Sequence, residues 1–377
     1  MAKKKLLFFS IFIIIILVFV TIYNIIYKNN NIYLNNKDEA PNFISIMLEE
    51  TVGSGEYKVS KSNKWPSKGY VFNKEMSYCN NGSTLTWNEN DNSVSVNINK
   101  TDKCYVYFDI YQLTLAEYIK SQYTGTQGEN SLYYHNSTLT NGAGDNSYRY
   151  AGASDSVNNY ICLGSDATTC PDANLFRIIG VFGNQTKVIR AKSVGYQQWH
   201  TSESNTWSSS SLNAYLNGTY LTSLGTIAEK IATTTWKVGG GSGSNISASV
   251  PATAYKNEVG SSASTTIIDK KIGLMYVSDY GFAASPSAWT KILGDYDGTD
   301  ANGTSIKTIN WMYMGYNEWT ISRHSDNTNS AFFVNSTGNV LGSNVRSDNG
   351  VRPSFNLESS VKYVSGSGSM SDPVRVN

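Results

Sequence analysis

The chain has 377 residues, a formal net charge of +1 and only 16% charged residues. This balance gives neither the basic footprint of a nucleic-acid-binding protein nor an acidic tail. The 26 tyrosines and 8 tryptophans are accompanied by frequent Asn, Ser, Thr and Gly. Such a mixture is typical of exposed binding loops and, slightly more so, of any extracellular β-rich domain.

The N-terminal residues 1–28 predict a membrane anchor. Lys3, Lys4 and Lys5 precede an uncharged run from Leu6 to Tyr27. At about 1.5 Å per residue this run reaches roughly 33 Å, enough to cross a hydrocarbon core of about 30 Å. Because the lysines should stay in the cytoplasm, we expect a single-pass cell-membrane protein with its C-terminal ectodomain outside. A cleaved signal peptide is the alternative, but its apolar region is usually shorter.

Residues 29–110 predict a stalk followed by a small β module. Residues 29–68 are polar and rich in Lys and Asn, with one weak apolar patch at 43–48. From 69 to 110 apolar and polar residues alternate, as in β-strands, and the strand candidates are 70–72, 83–87, 93–98 and 104–108.

Four cysteines follow the anchor: Cys79, Cys104, Cys162 and Cys170. Outside the membrane disulfides persist, and four cysteines allow three pairings. Sequence locality favours Cys79–Cys104 and Cys162–Cys170. We predict no metal site, because there is no CxxC motif and the three histidines are far apart in the sequence.

Residues 111–377 contain helix and strand signals that do not alternate regularly. Thr114–Glu117 is a capping box that opens a helix to about Gln122. A loop-rich stretch at 124–159 precedes an apolar strand at 175–182, which Gly183-Asn184 turns into a second strand at 187–191. The remaining predictions are short helices at 208–216 and 226–234, a flexible loop at 238–249, a buried strand at 272–277, and short strands at 319–322, 331–334, 338–341 and 351–357. This order predicts an α+β fold.

Several segments together resemble one domain family. They are 175–182, Trp207 with 212–217, 319–323, and a terminal block at 338–357 that contains Gly350-Val351-Arg352-Pro353. The family they resemble is a cell-surface domain of unknown function in Firmicutes, related in fold to the C-type lectin-like domain of formylglycine-generating enzymes and of retroelement-diversified receptors. The resemblance covers about 113–376, and the segment 69–109 is similar to one that often precedes this domain. It implies a C-type lectin-like domain at 111–377 with a large loop surface, and it names no ligand.

The sequence predicts no catalytic residues and no cofactor. Formylglycine-generating enzymes need a cysteine pair in the C-terminal half, and this chain has no cysteine after Cys170. His200 and His324 lie in polar, loop-like contexts without a nucleophile elbow, and no pair of acids stands out. The acidic segment Asp295–Gly303 invites a calcium site but lacks the EF-hand register, so a solvated turn is favoured and calcium binding stays open.

The candidate binding residues come from the longest aromatic and neutral-polar stretch, at 283–348. Arg177, Arg323 and Arg352 lie within apolar or β-like segments, so we expect them to pair inside the fold. The run 311–319 is the best ligand-facing candidate, with core packing as the alternative. The predicted ligand-binding residues are Trp289, Tyr313, Tyr316, Trp319, Asn344 and Arg346.

These observations favour a membrane-anchored extracellular binding or adhesion protein that presents this loop face to a glycan or protein ligand. Two alternatives from other classes remain. One is a cell-envelope hydrolase, which several convergent acids in a deep pocket would favour. The other is a purely structural surface protein.

Overall fold

The computed structural model describes residues 43–60, 66, 69–88, 93–97, 102–239, 241, 243–259 and 266–377. The predicted anchor at Leu6–Tyr27 and residues 29–42 of the predicted stalk lie outside these ranges. Within the ranges, none of the helices combines the length and apolar character needed to cross a bilayer. The chain divides into two units, Met1–Tyr111 and Gln112–Asn377.

The first unit is a small β structure. Its described strands are β1 Phe43–Glu49, β2 Tyr57–Val59, β3 Tyr70–Cys79, β4 Thr84–Asn88, β5 Ser93–Asn97 and β6 Lys103–Ile110. Four of them form a sheet in the order β2-β1-β6-β3, in which β1 runs parallel to β6, and β4 and β5 form a separate hairpin.

Strands β1 and β2 correct the stalk prediction over residues 43–49 and 57–59. In β1, Ile46 lies in one apolar cluster with Val106 and Phe108, while Met47 lies in another with Tyr105 and Tyr107. Successive strand residues point to opposite faces, so β1 is covered on both sides. A strand buried on both faces reads as a continuous apolar patch without alternation. Residues 43–48 therefore lack the alternating pattern by which strands β3 to β6 were predicted.

Both predicted disulfides are confirmed. Cys79 and Cys104 are direct partners in the β3–β6 pair, with their Cα atoms 4.0 Å apart. Cys162 and Cys170 close a short loop within the second unit, with a Cα–Cα distance of 5.8 Å. Each bond therefore joins residues of a single unit.

The second unit is a sheet-rich α+β structure. Its described strands are β7 Leu132–His135, β8 Ser147–Tyr150, β9 Tyr160–Cys162, β10 Leu175–Phe182, β11 Gln185–Arg190, β12 Tyr196–Gln198, β13 Thr234–Val238, β14 Thr266–Lys270, β15 Ile272–Gly273, β16 Glu318–Arg323, β17 Ser330–Val334, β18 Val340–Asn344, β19 Asp348–Gly350, β20 Ser354–Leu357, β21 Tyr363–Ser365 and β22 Val374–Val376.

Short helices accompany these strands. The described α-helices are α1 Leu115–Ser121, α2 Ser211–Tyr215, α3 Leu221–Ser223, α4 Gly243–Ile246, α5 Pro251–Val259 and α6 Val277–Phe282; a π-helical segment, Leu216–Tyr220, joins α2 to α3. The 3-10 segments are Glu129–Ser131, Asp172–Asn174, Trp207–Ser209, Gly225–Lys230, Pro286–Ala288, Leu293–Asp295 and Ile306–Ile309.

Two sheets and the helices share one large apolar core. The larger sheet has the order β15-β20-β11-β10-β9-β22-β21, with β8 on β10 and β7 on β8. The smaller sheet has the order β12-β19-β16-β17-β18. Buried aromatic side chains fill the core, among them Trp199, Trp207, Trp236, Trp311 and Trp319. The smaller sheet, with β12 at its edge, carries the candidate site.

Several local predictions are confirmed and others are wrong. The Thr114–Glu117 capping box and the β10–β11 hairpin are present. The stretch 124–159, predicted to be loop-rich, instead contains β7 and β8. Strand β8 pairs with β10 at Gly180, where a glycine is required because a Cβ would lie 2.1 Å from the Tyr148 carbonyl oxygen. The predicted helix at 226–234 is the 3-10 segment Gly225–Lys230, which has no side-chain cap. The predicted loop at 238–249 contains α4.

The predicted strand at 272–277 is also shorter than expected. It ends at Gly273, and α6 begins at Val277. The Asp279 carboxylate explains the change, because it accepts a hydrogen bond from the Tyr276 backbone N–H at 2.8 Å and so caps the start of a helix.

Candidate functional site

The two tryptophans among the predicted binding residues are core residues. Trp289 and Trp319 are both 0% exposed. The indole N–H of Trp289 donates to the Ala284 carbonyl at 2.8 Å, and that of Trp319 donates to the Gln197 carbonyl at 2.9 Å. Each indole thus finds its polar partner inside the fold, as buried tryptophans usually do. The prediction that they are exposed anchors is therefore wrong.

The structure places the two predicted tyrosines at the surface edge of the core. Tyr313 is half-buried, and its hydroxyl donates to the Ser336 carbonyl at 2.7 Å. Tyr316 is also half-buried, and its ring lies 6.2 Å from that of Tyr196. Tyr196 itself is 60% exposed. Tyr196 and Tyr316 therefore form an aromatic pair in which Tyr196 is open to solvent.

Strand pairing fixes which residues share this surface. In the antiparallel β12–β19 pair, Tyr196 lies opposite Gly350 and Gln198 lies opposite Asp348. Directly opposite residues point to the same face of a sheet. A Cβ on Gly350 would lie 2.7 Å from the Tyr316 ring, so the absence of a side chain there lets the ring rest on β19. We call Tyr196, Gln198, Tyr316 and Asp348 the tyrosine face.

The predicted polar partners lie on the turn that leads into the tyrosine face. Asn344 and Arg346 are exposed, and the Asn344 side-chain oxygen accepts a hydrogen bond from the Arg346 backbone N–H at 2.9 Å. The Arg346 guanidinium is 3.6 Å from the Glu203 carboxylate, and both side chains are open to solvent. A backbone hydrogen bond fixes the turn, because the His200 N–H donates to the Val345 carbonyl at 3.0 Å.

The chemistry of the tyrosine face suits recognition. Burial raises the pKa of Tyr316, and the nearby Glu318 carboxylate raises it further, so the ring stays neutral. A neutral aromatic face stacks on apolar surfaces, while the Gln198 carboxamide beside it can donate and accept hydrogen bonds and the Asp348 carboxylate can accept them. Tyr196 lies outside the predicted stretch 283–348, and sequence reasoning missed it. Its position after Gly195 in a three-residue edge strand gives no periodic signal.

A second group of polar residues, which was not predicted from the sequence, lies inside the core. Lys187 Nζ is 2.5 Å from the Asp279 carboxylate, and Arg149 Nη1 is 3.6 Å from it. Arg149 also pairs with Asp145 at 2.6 Å. Burial would raise the pKa of Asp145, but Arg149 and hydrogen bonds from Ser147 hold it at about 2. Burial lowers the pKa of Lys187, which Asp279 opposes.

Glu258 of α5 holds the start of α6. Its carboxylate accepts hydrogen bonds from the backbone N–H groups of Val277 at 2.8 Å and Ser278 at 3.0 Å, and from the Ser322 hydroxyl. Burial raises the pKa of Glu258 to about 7, against the lowering effect of these hydrogen bonds. The buried charge cluster (Arg149, Lys187, Glu258 and Asp279) lies in the core, where a substrate cannot reach it without opening the fold.

The predicted arginines do pair inside the fold. Arg352 forms a buried salt bridge with Glu318, with Nε and Oε1 2.5 Å apart. Arg177 donates to the Asn159 side chain at 2.7 Å and to the Ser154 hydroxyl at 2.7 Å. Arg323 is half-buried and donates to the Val238 carbonyl at 3.3 Å.

The Asp295–Gly303 segment is organised around its own backbone. One oxygen of the buried Asp300 carboxylate accepts hydrogen bonds from the backbone N–H groups of Asn302 at 2.9 Å and Thr304 at 2.8 Å. In the part of the chain that the structure describes, the group of close potential metal ligands is Cys79, Asp102 and Cys104. Both sulfurs there are bonded to each other.

Comparison with known proteins gives one match. The model of a family described as a domain of unknown function (DUF6273) matches residues 183–359. This range includes β11 to β20, and therefore the smaller sheet and the whole tyrosine face. The chain is matched by no curated protein and by no solved structure.

Proposed function

We propose that this protein is a membrane-anchored extracellular binding protein whose tyrosine face binds a glycan. In this proposal residues 1–28 hold the protein in the cell membrane. The unit Gln112–Asn377, which we propose to have a C-type lectin-like fold, stands outside. Support for the anchor comes from the uncharged run Leu6–Tyr27 after three lysines. Two disulfides support an oxidising compartment.

The observation that carries the binding role is the exposure of Tyr196 on a rigid support. The residue is 60% exposed, although its backbone is paired to β19 and its neighbour Tyr316 is packed on that strand. A flat ring that is held in place loses little conformational entropy on binding. Gln198 and Asp348 on the same face supply groups that hydrogen-bond to hydroxyls, which suits a sugar that stacks its apolar face on Tyr196.

The buried charge cluster weighs against the hydrolase alternative. A general acid or base must come within hydrogen-bond reach of a substrate. Glu258 has a pKa of about 7, which is suitable for proton transfer, but its carboxylate is committed to Val277, Ser278 and Ser322 in the core. These contacts support a structural role for Glu258, in which it fixes the start of α6.

A direct test screens the full chain in lipid nanodiscs against an array of neutral glycans and against cell-envelope fractions. Nanodiscs avoid detergents with sugar headgroups, which would compete for the site. We expect binding to a subset of glycans, and we expect the Tyr196→Ala variant to lose it. Capture of an envelope protein without any glycan would instead favour the protein-ligand alternative. If no array member or fraction binds, the proposed function is wrong.

A further inference from the structure

A small pocket lies in the unit Gln112–Asn377, outside the tyrosine face. It has a volume of about 110 Å³ and lies between α1, the 3-10 segment Glu129–Ser131 and the C-terminal part of the unit. Hydroxyl and carboxamide side chains form much of its wall, including Tyr118, Gln122, Asn130, Ser131, Tyr150 and Asn158. Among the described residues that line it there is no Asp, Glu, Lys, Arg or His. It also lies outside residues 183–359.

Tyr150 brings an unused hydrogen-bonding group to this pocket. The residue is only 5% exposed, and its hydroxyl has no hydrogen-bond partner among the described residues but is not sealed from solvent, because it opens toward the pocket. Burial raises its pKa, so the hydroxyl keeps its proton and can donate. A hydroxyl that has no protein partner and opens into a pocket is available to water or to a hydroxyl of a ligand.

The backbone of the pocket wall is unusual as well. Asn130 and Ser131 are consecutive non-glycine residues in the left-handed region, with φ of 55° and 59°. Their conformation is held in place, because the Asn130 amide donates to the Gln122 carbonyl at 2.8 Å and the Ala151 backbone N–H donates to the Ser131 carbonyl at 3.0 Å. Such conformations concentrate at ligand-binding sites.

Size and polarity define the ligand class. A cavity of about 150 Å³ accepts a benzene ring, so a partly open pocket of about 110 Å³ can take one edge of a single six-membered ring while the rest of that ring stays in solvent. An apolar ring would leave Tyr150 without a partner, and an ion would find no opposite charge. Tyr118 is stacked on Tyr363, with ring centroids 3.6 Å apart, which gives the pocket a fixed aromatic wall.

We propose that this pocket binds a single neutral sugar ring, with the Tyr150 hydroxyl donating to or accepting from a sugar hydroxyl and Tyr118 contacting the apolar face. The pocket shares no residue with the tyrosine face. The proposal therefore does not depend on the proposed function, and each can fail without the other.

The test uses the full chain in lipid nanodiscs and saturation-transfer NMR. The probes are the methyl β-glycosides of glucose, galactose and N-acetylglucosamine, each at about 10 mM because a single ring binds weakly. The variant Tyr150→Phe removes only the unpartnered hydroxyl. Tyr220→Phe is the matched control, since Tyr220 is equally buried, at 5% exposure, its hydroxyl also has no partner among the described residues, and it lies outside the pocket.

We expect at least one probe to bind, and we expect Tyr150→Phe to weaken it about three- to ten-fold, the effect of one lost hydrogen bond. All comparisons are made in the Tyr196→Ala background, which removes any binding of the probe at the tyrosine face, and there Tyr220→Phe should leave the affinity unchanged. Tyr150→Phe should also melt at an unchanged temperature, since its hydroxyl has no protein partner. If none of the three glycosides binds, the pocket holds only water and the proposal is wrong. Equal binding by Tyr150→Phe and Tyr220→Phe would also overturn it.

Discussion

Glu258 should make the stability of this protein depend on pH in a predictable direction. Its carboxylate is buried between α5, α6 and β16, where it faces Ser278, Ser322 and the Asp279 carboxylate. Burial raises its pKa from 4.5 to about 7. Because the folded state holds this proton more tightly than the unfolded chain, the stabilising contribution of Glu258 is complete below about pH 4.5 and is lost as the pH rises through 7.

The size of the effect follows from the shift. One pKa unit corresponds to about 1.4 kcal/mol, so between pH 5 and pH 8 the contribution of Glu258 should fall by about 2 to 3 kcal/mol. The buried His135 acts in the opposite direction, because burial and Arg149 lower its pKa well below the ordinary value. Its contribution is present above about pH 6.5 and is lost on acidification.

A comparison with Glu258→Gln separates the two groups. The variant keeps His135 but has no titrating group at 258, so the effect of His135 cancels in the difference. We would measure urea unfolding of both proteins by tryptophan fluorescence at pH 5 and pH 8. The free-energy advantage of the unaltered chain over the variant should be about 2 to 3 kcal/mol larger at pH 5. If the advantage is the same at both pH values, the assignment of a raised pKa to Glu258 is refuted.

Three further outcomes are expected. Arg352→Met should lower the free energy of unfolding by about 3–5 kcal/mol, because it leaves Glu318 buried without its partner; a loss below about 1 kcal/mol would place this pair near solvent. Trp319→Ala should lower it by a similar 3–5 kcal/mol in thermal melts, as expected for a tryptophan with no exposed surface, and an unchanged melting temperature would contradict the core assignment. The mature protein should fractionate with membranes and retain Met1 to Tyr27, whereas N-terminal sequencing that begins after Tyr27 would show a cleaved signal peptide.

Local signals allowed much of the second unit to be predicted. The β10–β11 hairpin follows from two apolar runs around Gly183-Asn184, and α1 follows from the Thr114–Glu117 capping box. The disulfide pairing follows from sequence separations of 25 and 8 residues. In each case the interacting residues are close enough in sequence for their spacing to carry the information.

Long-range contacts explain what the sequence could not predict. Strand β1 pairs along most of its length with β6, which lies far along the chain, and locally only with the three-residue strand β2, so residues 43–49 carry little local signal for a strand. The aromatic run 311–319 is buried at both ends and more exposed in the middle, and composition alone cannot tell Trp319 from Tyr316. Tyr196 joins the site through its pairing with Gly350, more than 150 residues away.

The affinity of Tyr196→Ala for the best glycan from the array tests the central claim most directly. The matched control is Tyr111→Ala, which removes another exposed tyrosine, one that lies in the first unit. We predict that Tyr196→Ala weakens binding by about 2 kcal/mol, roughly thirty-fold, as for an aromatic hot spot. Its melting temperature should stay unchanged, and Tyr111→Ala should bind like the unaltered chain. Equal affinity of Tyr196→Ala and Tyr111→Ala would contradict the assignment of the tyrosine face as the binding site.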